Sequence, residues 1–350
     1  MLDRDASPIH LYLPLLTHED TKVREQTCAI LLSTYGDRAL TYLRRLLDDS
    51  DMVVRHQARQ ALIAIGEMAN LAVELRPFRG MYVECLGRMR VYIGSREVQP
   101  QEWMQNKGGR AGWRKVQSMF AYLIHCGHQG VSRSEMGDAV WGTPVNQSSF
   151  ARTLSSLRHA LAQVGGEQFA QRILLTRNGQ CALDVDAYHT DIHVFERTFD
   201  TAYQLENEHG LEVAVARYEQ VVRLYGGAYM SDVPVGNDWA RQRRDLLANN
   251  FVIAVERLAE HAWLHQSYQR CITVCQQALY VDETAEDVMI WLLRAYQTLR
   301  MRTEYEHAYQ HYLRAAELDP RSEEGQSDSV VQFYATSRQT HKQSEQFDSV

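Results

Sequence analysis

Residues 147–163 read Gln-Ser-Ser-Phe-Ala-Arg-Thr-Leu-Ser-Ser-Leu-Arg-His-Ala-Leu-Ala-Gln, and a second telling stretch, Ile-Leu-Leu-Thr-Arg-Asn-Gly-Gln-Cys-Ala-Leu, fills 173–183. In the first, Phe150, Leu154, Leu157 and Leu161 recur at spacings of four, three and four, which makes one apolar stripe of a helix. At about 100° per residue the opposite side carries Ser148, Arg152, Ser155 and His159, flanked by Ser149 and Ser156, with no carboxylate among them. Short polar side chains and one guanidinium suit a helix lying in the major groove of DNA. Hydroxyls can approach base edges there, whereas an acid would be repelled by phosphate. A helix face that is merely solvated more often carries Glu–Lys pairs. The second stretch sets Asn178-Gly179 between apolar runs. Both central residues of a type I′ hairpin turn need positive φ, and this dipeptide supplies it. Arg177 then sits at the hairpin tip.

Working outward, Val116, Met119, Phe120, Leu123 and Ile124 form the apolar face of an earlier helix that Gly127 ends. Ser132-x-x-Glu135 is a capping box opening the next helix, with Val131 and Met136 placed as a hydrophobic staple. Ala139, Val140 and Trp141 complete its buried side, and Gly142-Thr143-Pro144 stops it. Upstream of these, Val83, Cys85, Met89, Val91 and Ile93 alternate with Glu84, Arg88, Arg90 and Tyr92 around Gly87. Such alternation marks half-buried strands, here ending at a turn of Gly94-Ser95. Strands, three helices and a basic-tipped hairpin describe a winged helix over 77–186. In the intervening loop, Pro100 to Gly112, the run GGRAGWRK lacks the spacing of a phosphate-cradling loop.

The charge supports that reading. The chain of 350 residues carries a net charge of −7, yet 79–180 holds thirteen basic residues against six acidic ones, +7 locally and −14 elsewhere. One basic module in an acidic protein points to a polyanionic partner. Expected base contacts are Ser148, Ser149, Arg152, Ser155, Ser156 and His159. Expected phosphate or wing contacts are Arg114, Lys115, Arg158, Arg177 and Asn178.

The flanks are helical. In 1–76, Asp20, Val23 and Arg24 recur as Asp51, Val54 and Arg55, an offset of 31, and Leu15-Leu16 recurs as Leu46-Leu47. Paired short helices at that period resemble HEAT repeats. In 187–320, Tyr268, Cys271, Ala278 and Asp282 recur as Tyr305, Ala308, Ala315 and Asp319, an offset of 37, near the tetratricopeptide period. Such stacks offer grooves to partner proteins. Residues 321–350, rich in Ser, Gln and acids, read as a disordered tail. His261 with His265, and Cys271 with Cys275, are pairs four apart; both read as packed core side chains, and no metal site is expected. No catalytic set is visible, so neither an enzyme nor a cofactor is expected. The 45% hydrophobic content suits a globular chain, and no run approaches eighteen apolar residues, which argues against a membrane span. Six scattered cysteines without a C-x-x-C, and no leader pattern at the start, fit the cytoplasm.

The central segment resembles the winged-helix domain of the actinobacterial antibiotic regulatory protein (SARP) family. The residues that carry the resemblance are Leu86-Gly87, Val131-Ser132 with Trp141, Ala151-Arg152-Thr153-Leu154 with Leu157-Arg158, and Leu175-Thr176-Arg177 leading to Asp184. Residues 187–320 are similar to the bacterial transcriptional activator domain of that family, through Asp191-x-x-x-Phe195-Glu196, Tyr225-x-Gly227, Asp232-Val233-Pro234 and Trp239-Ala240. The resemblance implies a mainly α fold with a small β component. It also implies an activator that binds double-stranded DNA at promoter direct repeats, as a homodimer on DNA, and recruits RNA polymerase. The chain departs from the family in its N-terminal repeats, in Cys181 where a tyrosine is common, and in the polar start Lys115-Val116-Gln117-Ser118. The rival reading is a protein-interaction scaffold whose helical repeats are the binding surfaces.

Overall fold

A computed structural model describes residues 9, 12–69, 73, 75, 81–93, 96–103, 112–127, 129–177, 179–184, 187–234 and 238–347. The fold is mainly α with a small β component. It divides into two compact units, one of residues 1–194 with 226–243, the other of 195–225 with 244–350.

The first unit opens with α1 (Thr21–Ile30), α2 (Leu40–Arg45) and α3 (Met52–Ala69), linked by short 3-10 and π-helical turns. The repeat seen in the sequence is a repeat of hydrogen bonds. Asp20 and Asp51 each accept from the amide two residues on, at Lys22 and Val53. Arg24 donates to the carbonyls of His18 and Glu19, and Arg55 to those of Asp49 and Ser50, the same positions one period later. Each pair caps a helix start and satisfies the loop before it. Asp49 then joins the two copies, accepting from Arg24 Nε and Nη2 at 2.9 Å each.

Next come β1 (Met81–Glu84), β2 (Arg90–Ile93) and β3 (Arg96–Glu97), antiparallel in the order β3-β2-β1. Tyr82 faces Tyr92 across β1 and β2. The alternation puts Tyr92 on a solvent-facing side, but it is 1% exposed and belongs with Tyr82 to the core of the N-terminal helices. Those helices cover the outer face of the sheet, which explains how two helical repeats bury their apolar stripe. At the centre, Arg45 is buried with its guanidinium carbon 3.9 Å from the ring centroid of Tyr92, 5.1 Å from Tyr42 and 5.4 Å from Tyr82. Its Nε and Nη2 have no hydrogen-bond partner among the described residues, and burial holds its pKa down to about 10. A desolvated cation with orphan donors adds little net stability even over three rings. Arg45→Met is therefore expected to shift stability by no more than about 1 kcal/mol either way. A loss above roughly 3 kcal/mol in urea unfolding would show that the rings hold the charge more strongly than this.

The helix trio follows as α4 (Gly112–Cys126), α5 (Arg133–Trp141) and α6 (Gln147–Gly165), with the two-residue β4 (Val131–Ser132) before α5. A short α7 (Glu167–Ile173), absent from the sequence reading, leads into the hairpin β5 (Leu174–Arg177) and β6 (Gln180–Leu183). β4 pairs with β6 in a second small sheet. β7 (Tyr188–Thr190) returns to pair in parallel with β1.

Two helices carry the chain from one unit into the other: α8 (Asp191–His209) and, after α9 (Leu211–Leu224), α10 (Arg241–Leu264). The compact units divide differently from the expected domains, since 187–194 and 226–243 cluster with the winged helix. The second unit continues with α11 (Tyr268–Leu279), α12 (Glu286–Thr298) and α13 (Arg302–Ala315). The repeated Asp282 and Asp319 each accept from the amide two residues on, at Thr284 and Arg321, closing equivalent turns.

The segment expected to be a disordered tail contains two helices. α14 (Glu323–Ser327) and α15 (Ser329–Phe347) occupy it. Val330, Val331 and Tyr334 are buried, and Tyr334 stacks on Tyr309 with centroids 3.7 Å apart. Its hydroxyl donates to Glu306, and Ser329 donates to Glu286. Composition hid one short apolar stripe inside a polar segment.

Candidate nucleic-acid interface

α6 is the element the site is built on. Asn146 caps it, accepting from Ser149 N at 2.8 Å and from Ser148 Oγ at 2.9 Å. Leu154, Leu157, Ala160 and Leu161 are buried, which turns the other stripe outward. Ser148, Arg152 and Ser155 are exposed on that stripe, while Ser149, Ser156 and His159 at its edges are half-buried. Ala151, exposed between Ser148 and Arg152, was missed by the sequence reading; a methyl group there lets the backbone come close to whatever the helix meets. The preceding α5 is fixed by the reciprocal Ser132–Glu135 capping box, and Gly142 closes it at φ 70°.

The wing stands beside α6. Arg177 pairs with Gln180, and Gly179 has φ 76°, the positive value expected of it. Asn178 and the side chain of Arg177 lie outside the described residues. Cys181 is buried at the pairing with Val131, so the tyrosine common elsewhere is replaced by a small core side chain. Arg158 Nη2 donates to Thr176 Oγ1 at 3.3 Å, tying α6 to β5 and holding a half-buried guanidinium between helix and wing. Arg114 is exposed at the start of α4.

Lys115 is placed differently from the expectation. Its Nζ donates to the carbonyl of Val140 at 2.6 Å and lies 5.7 Å from the Trp141 ring centroid; burial lowers its pKa. It satisfies a carbonyl at the end of α5, a common task for a lysine near a helix C-terminus. Its job is to position α5 against α4.

Behind these helices lies a joint made of the residues that carry the family resemblance. Both carboxylate oxygens of Asp191 accept backbone amides, from Cys85 at 2.8 Å and Leu86 at 2.9 Å. Segment 226–234 runs along the same strand end: Met230 N donates to Cys85 O, Ser231 N to Gly87 O, and Gly87 N to Ala228 O. Asp232 accepts from Met89 N at 2.8 Å. Gly87 has φ 97°, and a Cβ on it would lie 2.9 Å from the Gly226 carbonyl, so glycine is required twice over. Ser118 Oγ lies 2.7 Å from Pro234 O and 2.8 Å from Arg114 O, which accounts for a buried hydroxyl in the polar start of α4. Trp239 packs on His125 and Tyr122, with centroids 4.8 and 5.3 Å apart. His125 borders a cavity of about 300 Å³ with His193, Tyr229 and Arg243; burial and Arg243 lower its pKa.

Residues 190–324 match the family model described as the bacterial transcriptional activator domain. The chain carries a bacterial transcriptional activator domain. In this chain a winged helix precedes that domain. A solved structure described as "Mycobacterium tuberculosis EmbR in complex with low affinity phosphopeptide" has a similar fold, with a TM-score of 0.56 at 15% identity, covering 76% of this chain. The chain spans 66% of that relative's length, just under two thirds. No curated protein matches the chain. Among the described residues, no helix is long and apolar enough to cross a membrane.

Proposed function

We propose that the chain is a sequence-specific DNA-binding activator, non-enzymatic and cytoplasmic, whose α6 lies in the major groove. The observation that carries this reading is the outward stripe Ser148, Ala151, Arg152, Ser155 and His159, free of carboxylates and set beside a wing. Arg152 and the serines reach base edges; Arg114, Arg158, Arg177 and Asn178 hold phosphates or the minor groove. Lys115 is left out of that set because its ammonium serves Val140. Two copies bind promoter direct repeats head to tail, one or two helical turns apart, and the activator domain recruits RNA polymerase.

The test is titration of the whole chain with duplex DNA at two salt concentrations, followed by selection of bound fragments from genomic DNA. Binding that weakens steeply with salt and enriches a repeated sequence supports the reading. No binding at low salt would favour a protein-interaction scaffold. Arg158→Ala is expected to weaken all duplexes alike and to flatten the slope of log K against log salt by about one unit. An unchanged slope would remove Arg158 from the phosphate contacts.

A further inference from the structure

The first turn of α9 and the C-terminal end of α10 bring three metal-ligating side chains together. His261 lies in the last turn of α10 and His265 just past its end, and Nε2 of each lies 3.0 Å from Oε2 of Glu212. One donor atom from each of the three falls within 4.8 Å of the others. The sequence grouped these histidines with Cys271 and Cys275 as packed core. The structure separates the pairs: the cysteines are buried in α11, while the side chain of His265 is 53% exposed and that of Glu212 is 72% exposed. Glu212 precedes His261 by 49 residues, so only the fold brings it near.

We infer that Glu212, His261 and His265 form a binding site for one divalent transition-metal ion of the zinc class, clipping α9 to α10. Bonds of about 2.0–2.1 Å at a near-tetrahedral centre set neighbouring ligand atoms roughly 3.3 Å apart, close to both nitrogen–oxygen separations here. Two imidazoles select against calcium and magnesium, which take oxygen ligands, and favour zinc, copper, nickel or cobalt. Three protein ligands leave a position for water. The site sits at the carbonyl end of α10, whose partial negative charge attracts a cation.

The competing account is a pair of His–Glu ion pairs, and the two differ in pH dependence. An ion pair needs protonated histidine, whereas a metal ion needs neutral imidazoles and is displaced by protons. The experiment uses the full chain stripped with a chelator and titrated with zinc chloride by calorimetry at pH 7.5 and pH 5.5. Saturable binding of one ion per chain is expected, lost at the lower pH, with a melting temperature raised by roughly 3 °C at saturation. His265→Ala is expected to weaken zinc at least about tenfold without moving the melting temperature of the metal-free protein. Cobalt in place of zinc should give visible bands of nitrogen and oxygen ligation with no thiolate charge-transfer band. Binding that survives His265→Ala, a thiolate band, or no saturable binding at pH 7.5 would each overturn the site.

Discussion

Replacing Asp191 with alanine is expected to destabilise the winged-helix unit by about 3 kcal/mol at pH 5. The side chain is 9% exposed as a residue, and both its oxygens accept backbone amides, from Cys85 and Leu86. Those amides lie where β1 ends, and the strand edge around them is filled by segment 226–234. Alanine leaves two buried donors without an acceptor, each costing about 1–3 kcal/mol, with partial relaxation offsetting the rest. Urea unfolding followed by tryptophan fluorescence measures the loss. A shift under about 1 kcal/mol would mean that water reaches the amides and that the joint is looser than the hydrogen bonds imply.

The same residue sets a pH dependence with a definite sign. Burial, opposed by the amides of Leu86 and Cys85, pushes the Asp191 carboxyl up to about 6 from 3.8. A folded-state value above the unfolded one means that the folded chain holds the proton more tightly. Its contribution to stability is therefore full below about pH 4 and is lost as pH rises through 6. The gap between wild type and Asp191→Ala should narrow from pH 5 to pH 8. Glu84 acts in the same sense: burial first, then the Asp191 carboxylate, push it up to about 8, so removing Asp191 also eases the titration of Glu84. A gap that widens toward pH 8 would show the amides outweighing burial.

Local signals in the sequence were legible because they act locally. The Ser132–Glu135 box and the buried Leu154, Leu157 and Leu161 of the α6 stripe each involve residues within one or two helical turns, and each forms as read. The 31-residue repeat also survives, since Asp20 and Asp51 cap in the same way. What the sequence withheld depends on contacts between distant segments. Tyr92 alternates as a surface residue, yet the N-terminal helices cover it. Lys115 looks like a free cation until α5 offers it the Val140 carbonyl. The motifs Leu86-Gly87, Asp191 and 227–240 look like separate family marks. Only in three dimensions do they become one joint, whose glycine and acid are fixed by backbone geometry rather than by contact with DNA.

That distinction decides what a substitution in α6 should do. Arg152 is exposed on the outward stripe and makes no hydrogen bond or ion pair among the described residues, so its removal should leave stability within about 0.5 kcal/mol. If its guanidinium makes a bidentate contact to a guanine edge, Arg152→Ala should cost about 1–3 kcal/mol on the selected repeat, roughly 5- to 150-fold in affinity. Random duplex of equal length should lose far less, because one phosphate-range charge among several changes non-specific binding only modestly. The contrast with Arg158 is the point of the pair: Arg158 bridges to Thr176 and should affect every sequence equally, whereas Arg152 should change the preference among sequences. Competition binding of both variants against operator and random DNA at one fixed salt concentration reads this directly. Equal losses for Arg152→Ala on both duplexes would take base recognition away from this face of α6 and leave it with phosphate contact alone.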